Sequence, residues 1–219
     1  MAGIVIAGTD TGVGKTYFSC LLLRALRAQG VDAVAYKPVC CGPRDDAEDL
    51  LDACDRVEPV DVVNPVWLRT PAAPMVAAEL EKVELSIADL VSHADVLQSR
   101  HEFVVLEGVG GWEVPLEPGA TFGEFAAELG WPVVLVVANK LGALNHTLLT
   151  ARAIKERGLS IKGLVLNHLE EERDVAMVTN QAVLTQWLEP PFWTEMMPGQ
   201  DWLDAEVAEV LMGADLNVS

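Results

Sequence analysis

The sequence predicts one α/β domain with a mainly parallel sheet covered by helices on both faces. Three observations carry this prediction. Apolar runs of strand length alternate along the chain with segments of helical periodicity. The apolar runs are continuous, as strands buried on both faces require. The 219 residues contain no repeat, low-complexity tract or linker that would divide them. A chain of this length buries a full core without disulfide staples or a structural metal.

Each element has its own signal. Ile4–Ala7 is an apolar run of strand type, Thr16–Gln29 has helical spacing closed by Gly30, and Asp32–Tyr36 is a second strand. An acidic helix is expected from about Asp46 to Cys54, then an irregular stretch holding Pro59, Pro65, Pro71 and Pro74. Helices follow near Met75–Glu81 and Ile87–Ser99. Phe103–Leu106, Val133–Ala138 and Ile161–Leu166 are three more buried strands, separated by helices near Phe122–Leu129 and Leu144–Arg157. The domain is expected to span residues 1–219, with less order from about residue 205.

Composition excludes several function classes. With 33 acidic and 15 basic residues the net charge is −18, which repels the phosphate backbone of nucleic acid and anionic lipid headgroups. No apolar run reaches the roughly 20 residues of a membrane-spanning helix. The N-terminal segment has no basic flank and enters a glycine-rich run, so it reads as a strand and not as a signal peptide. Cys20, Cys40, Cys41 and Cys54 show neither CxxC nor paired spacing, so reduced thiols and a cytoplasmic location are expected.

In a parallel sheet, ligands bind beyond the carboxyl ends of the strands. The polar residues there are Thr9–Thr16, Lys37, Glu107, Asn139 with Lys140, and Asn167. Gly8-Thr9-Asp10-Thr11-Gly12-Val13-Gly14-Lys15-Thr16 lies between a strand and a helix, the context of a phosphate-binding loop. Small residues let backbone N–H groups converge on a phosphate, Lys15 reaches the outer phosphates, and the Thr16 hydroxyl can ligate Mg²⁺. This makes the fold P-loop NTPase-like, although Thr9 stands where the strict GxxxxGK[ST] pattern has glycine.

Glu107, at a strand end before Gly108-Val109-Gly110-Gly111-Trp112, is suited to hold Mg²⁺ directly or through water. Lys37 could neutralise charge on a transferring phosphoryl group, or be a plain surface lysine. The run Asp45-Asp46-Ala47-Glu48-Asp49 is a solvated helix start that can supply one more metal ligand, and spacing leaves open which. Asn167 has the donor and acceptor to read a base, though a loop-starting Asn is equally common. His146 is expected to be structural, Cys41 not nucleophilic, and Trp187, Trp193 and Trp202 to lie in the core or an interface.

Taken together, these segments resemble the dethiobiotin synthetase family, ATP-dependent ligases of biotin synthesis, over nearly the whole chain to about residue 200. The matching blocks are Gly8–Thr16, Tyr36-Lys37-Pro38-Val39, Glu107–Trp112 with Pro115, Leu141–His146 with Leu148-Leu149-Thr150, and Asn167. The loop's extra residue is the family's own form. The resemblance implies a homodimer that joins 7,8-diaminopelargonate, CO₂ and ATP to give dethiobiotin, ADP and phosphate. A substrate amine forms a carbamate, its oxygen attacks the γ-phosphate, and the second amine closes the ring as phosphate leaves.

The roles that the resemblance implies are these. Lys15 and Lys37 stabilise the carbamate and the transferring phosphoryl group, and Thr11 contacts substrate or phosphates. Thr16, Asp46 and Glu107 hold Mg²⁺. Gly12, Val13, Gly14, Lys15, Thr16 and Tyr17 wrap the phosphates, with Gly108, Val109, Gly110, His168 and Pro198 also on the nucleotide side, and Asn167 reads the base. Cys41, Pro74, Gly111, Leu144 and Asn145 line the substrate site with Thr11 and Lys37. The helix begun by Leu141–His146 faces the substrate carboxylate, across the dimer in one arrangement.

Three places depart from the family pattern. Cys41 replaces a hydroxyl residue, Pro71-Ala72-Ala73-Pro74 lacks the hydroxyl often found there, and Glu195-Met196-Met197-Pro198 with Gly199–Trp202 replaces Gly-x-Ile-Pro-Trp. Two alternatives stand beside the ligase. A nucleotide switch of the partition or septum-site type would carry another lysine near the loop start, where Gly8-Thr9-Asp10 has none. An amide-forming synthetase related to the cobyrinate-amidating enzymes would need a longer chain for its glutaminase domain.

Overall fold

In the computed structural model, which describes residues 3–172 and 174–213, a six-stranded parallel sheet is flanked by helices on both faces. The chain runs β1 (Gly3–Gly8), α1 (Lys15–Ala28), β2 (Ala33–Tyr36), β3 (Val39–Cys41), α2 (Asp45–Ala53) and α3 (Val60–Val63). It continues through β4 (Val66–Leu68), α4 (Pro74–Glu81), α5 (Ile87–Arg100), β5 (Phe103–Glu107), β6 (Pro115–Glu117) and β7 (Ala120–Thr121). The last elements are α6 (Phe122–Leu129), β8 (Val133–Ala138), α7 (Ala143–Glu156), β9 (Ile161–Asn167), α8 (Val175–Leu188), β10 (Phe192–Met196) and α9 (Ala205–Met212).

The strand order is β10-β9-β8-β1-β5-β2, and every pairing is parallel. Register brings the functional ends together. Tyr36 lies opposite Leu106, so Lys37 follows β2 level with Glu107 at the end of β5. Ile6 lies opposite Glu107, and Ala138 opposite Asn167. Chemistry carried by residues far apart in sequence therefore gathers at one edge.

Side-chain alternation divides the apolar interior between the two faces. Val5, Val34, Tyr36, Val104 and Leu106 pack with Leu90, Ala94 and Leu97 of α5, Phe122 and Phe125 of α6, and Ala151 and Ile154 of α7. Ile4, Ile6, Ala35, Val105 and Val136 pack on the other face with Phe18, Leu21 and Leu22 of α1, Leu50 and Leu51 of α2, and Val207, Ala208 and Leu211 of α9. The continuous apolar runs are thus strands covered on both sides.

The five expected sheet strands and the helices among them form, with ends moved by a residue or so. Other parts differ from expectation. The proline-rich stretch is not wholly irregular: it contains α3 and β4, and β4 pairs in parallel with β3 as a small separate sheet. A sixth sheet strand, β10, pairs with β9, and α8 precedes it. Trp187, Trp193 and Trp202 are exposed in the chain, which removes the core from the two places expected for them and leaves the interface. Of the stretch from about residue 205, α9 is described and residues 214–219 lie outside the described part. The four cysteines are unbridged.

Between β7 and α6 the chain closes a capping box. The Thr121 amide and hydroxyl donate to the Glu124 carboxylate, and the Thr121 hydroxyl accepts from the Gly123 amide. The Arg157 guanidinium also donates to Glu124, at 2.8 Å. Burial pushes the Glu124 carboxyl up, but the Thr121 donors and Arg157 outweigh it and hold it at about 2. Its stabilising contribution is therefore complete above the ordinary value of 4.5 and is lost as pH falls toward about 2. In denaturant unfolding, Glu124→Gln should be less stable than the native protein at neutral pH. The gap should close across that acid window; a pH-independent gap would contradict the assignment.

Candidate active site

The phosphate loop owes its shape to two left-handed glycines, Gly12 at φ 71° and Gly14 at φ 98°. Gly14 has a second reason to lack a side chain. A Cβ there would lie 2.0 Å from the Asn167 side-chain nitrogen, which donates to the Val13 carbonyl at 3.0 Å. The end of β9 thus braces the loop directly. Beyond Gly14, α1 opens with no acidic residue in its first turn and no side-chain cap, leaving its amides for an anion. Lys15 folds back over the loop, donating to the carbonyls of Asp10 at 3.0 Å and Gly110 at 2.7 Å. Burial, with the neighbouring Lys37 charge adding to it, lowers its amine to about 8.

Lys37 is fully enclosed, only 3 % exposed, and so is Glu107 at 1 %. The Lys37 ammonium donates to Glu107 Oε1 and to Asp46 Oδ2, the latter at 3.0 Å. The Thr16 hydroxyl donates to the same Glu107 oxygen at 2.9 Å. Burial would push the Lys37 amine down, but the two carboxylates outweigh it and hold it above its ordinary range. The Asp46 carboxyl is likewise lowered, because Lys37 and the Thr16 hydroxyl overcome its own desolvation.

These residues fit Mg²⁺. Thr16, Asp46 and Glu107 form an all-oxygen donor set, and Glu107 Oε2 is buried with no hydrogen-bond partner among the described residues. No three His, Cys, Asp or Glu side chains gather into a metal cage among the described residues. A site with so few protein ligands suits an ion that keeps most of its water and shares phosphate oxygens.

The contacts that hold Lys37 have no local signal in the sequence. Its amide donates to the Val63 carbonyl at 2.8 Å, and its carbonyl accepts from the buried Asn64 side chain at 2.8 Å. Arg44 in turn donates to Asn64 Oδ1 at 2.8 Å. In sequence Asn64 is only part of the irregular stretch around Pro65; the pairing across the fold gives it a task.

Two cavities meet at Thr11 and Gly110. One, of about 410 Å³, is lined by Cys41, Pro71–Pro74, Val109 and Val114 with Thr11 and Gly110. The other, of about 440 Å³, is lined by Gly111, Trp112, Glu113 and the α7 residues Leu149, Thr150 and Ala153. Burial pushes the Cys41 thiol up to about 11, consistent with an unreactive wall. Gly108 lies under Phe122, where a Cβ would come within 2.8 Å of the ring.

The remaining candidates are more dispersed. Tyr17 follows the loop and its hydroxyl donates to the Gln200 carbonyl. His168 is buried, its Nε2 3.2 Å from Glu195 on β10, and Pro198 is exposed in the turn after that strand. Leu144 is partly buried and Asn145 exposed on the first turn of α7. Ala143 and His146 of that helix border a cleft with Thr9–Val13.

Comparison with known proteins agrees with this geometry. Residues 2–186 match the family described as AAA domain. The chain is 46 % identical over 207 residues to the ATP-dependent dethiobiotin synthetase of Akkermansia muciniphila, covering 94 % of this chain and 97 % of that one. It is 45 % identical over 190 residues to the enzyme of the same name from Anaeromyxobacter dehalogenans, covering 85 % of each.

Solved structures extend the likeness in fold alone. The septum site-determining protein of Pyrococcus horikoshii, complexed with Mg-ADP, superposes with a TM-score of 0.60 at 18 % identity, over 97 % of this chain and 86 % of that one. A plasmid partition protein of Borrelia burgdorferi bound to AMPPNP does so with a TM-score of 0.57 at 12 % identity, over 96 % of each. With relatives this similar along nearly its whole length and the phosphate loop in its expected place, the chain belongs to the ATP-dependent dethiobiotin synthetases, ligases of biotin biosynthesis.

Proposed function

We propose that this enzyme takes 7,8-diaminopelargonate, CO₂ and ATP and forms dethiobiotin, ADP and phosphate through a carbamate and a carbamic–phosphoric mixed anhydride. The observation that carries the reading is the buried Lys37 ammonium, held by Glu107 and Asp46 beside the phosphate loop and the Thr11 cavities.

One substrate amine adds to CO₂ and loses a proton, giving a carbamate. A carbamate oxygen attacks the γ-phosphorus and ADP departs. The second amine then attacks the carbonyl carbon and loses a proton as phosphate leaves, closing the cyclic urea. The phosphoryl transfer brings two anions together, and the steps on either side of it form or release an anion, so positioning and positive charge supply most of the acceleration.

Lys15 and Lys37 supply that charge where water is excluded. Thr11 orients the substrate between the two cavities, with Cys41, Pro74 and Gly111 as walls. Gly12, Val13, Gly14, Thr16 and Tyr17 surround the phosphates, and Gly108, Val109 and Gly110 close over them. Asn167, His168 and Pro198 border the base. Thr16, Asp46 and Glu107 would hold Mg²⁺, which neutralises phosphate charge when bound. Two copies would associate so that Leu144 and Asn145, at the N-terminus of α7, meet the substrate carboxylate; the exposure of Asn145 supports this.

Phosphate release should require both the diamine and bicarbonate, with dethiobiotin formed in step. ATP turnover equally fast with neither present would favour a nucleotide switch. Lys37→Ala should slow turnover about a hundredfold while changing nucleotide affinity little, because it acts where charge develops; an unchanged rate removes it from the reaction. Glu107→Gln should raise the Mg²⁺ concentration needed for half-maximal turnover about tenfold or more. An unaltered Mg²⁺ dependence would make it only the partner of Lys37.

A further inference from the structure

Arg157 follows α7, away from the charged cluster, and no motif includes it. Its guanidinium grips Glu113 with both terminal nitrogens, at 2.7 and 2.8 Å, and Glu124 with Nε at 2.8 Å, while its side chain is only 21 % exposed. Isolated surface ion pairs contribute little, but a forked pair tied into a second carboxylate fixes direction as well as distance.

The loop it grips has little stiffness of its own. Between Glu107 and Glu113 the sequence is Gly108-Val109-Gly110-Gly111-Trp112, in which glycine leaves the backbone many conformations. At the start it is tied by the Gly108 amide, which donates to the Ile6 carbonyl at 3.0 Å. Farther on, the Gly123 and Phe122 amides donate to the Trp112 and Val114 carbonyls. A Cβ on Gly123 would lie 2.8 Å from Trp112 Nε1 and 2.9 Å from Arg157 Nε, so the start of α6, the indole and the guanidinium leave no slack. In the middle of this loop, the Gly110 carbonyl receives the Lys15 ammonium. Glu113 lines the same cavity as Thr11 and Gly111.

We propose that Arg157 is a positioning residue that, through Glu113, sets the Gly111–Val114 backbone and hence the shape of the substrate cavity beside Thr11. The inference rests on the diamine reading of that cavity given above. A displaced loop would misplace a substrate by about an ångström, and shifts of that size are felt strongly in bound geometry.

The test uses the full chain with Arg157→Ala, Glu113→Ala, their combination and Arg157→Lys. KM for the diamine should rise about tenfold in each single alanine variant, with KM for ATP within about twofold of the native value. The double variant should have a KM for the diamine no higher than that of Arg157→Ala alone, since the two changes share the one contact that reaches the loop. Lysine keeps the charge but not the fork, so Arg157→Lys should fall in between. Lower thermal stability with unchanged KM values, or additive effects in the double variant, would overturn the proposal. Hydrogen exchange gives a readout independent of the reaction. Amides from Gly110 to Val114 should exchange faster in both alanine variants while those of β1 and α1 do not; unchanged exchange there also overturns it. If the native protein fails to turn over the diamine, the assigned function fails, and exchange alone then decides the role of Arg157.

Discussion

Two opposite charges, the Lys37 ammonium and the Glu107 carboxylate, sit together at the end of adjacent strands with almost no access to water. Removing such groups from water costs several kcal/mol per ion, and that cost is offset only by close approach and further hydrogen bonds. Much of the neighbouring structure supplies those conditions. The register of β2 on β5 sets the two side chains level, Val63 and Asn64 hold the Lys37 backbone, and Asp46 and Thr16 complete the circle. The remaining Glu107 oxygen, without a partner among the described residues, makes sense when the site is built to receive something else.

The same arrangement accounts for an acidic protein acting on anions. A net charge of −18 describes the surface as a whole, and extended polyanions respond to it. The proposed nucleotide site is instead a small region in which two lysines and the uncapped amides of α1 come together. Within that region positive charge is scarce and closely managed: Lys37 is held by carboxylates, whereas Lys15 rests on two backbone carbonyls and carries the lower affinity for its proton. The loop lysine is therefore the one whose ties are neutral and can be exchanged for phosphate oxygens.

Parts of the site were legible because their signal is local. A buried strand followed by Gly14-Lys15-Thr16 states its own geometry, and Glu107 is marked by the apolar run before it and the glycines after it. Asp46 could be singled out from its acidic neighbours only through family resemblance, and the structure brings it to Lys37. Asn64 and Arg157 gave no such signal, since their partners lie 27 and 44 residues away in the chain. The edge strand β10 was hidden for the same reason. Phe-Trp-Thr-Glu-Met has mixed polarity, and only pairing with β9, where Phe192 packs over the bare Gly163, makes it a strand. The helix before it was obscured by apolar residues left exposed, Val175, Val178 and Trp187 among them.

Local periodicity and loop chemistry in the chain were enough to specify an α/β nucleotide-binding domain and five of its six central strands, and the family followed only from the resemblance of its ordered blocks. They also named the charged residues, because strand ends in a parallel sheet point to one edge whatever the details of packing. Folding in three dimensions decided which of those charges touch: that Lys37 is buried between Glu107 and Asp46, that Asn167 leans on the phosphate loop, and that Arg157 holds the loop from behind. Hydrophobic spacing is written along a few turns of chain. An ion pair or a brace depends on register and distance between segments that meet only after the sheet has formed.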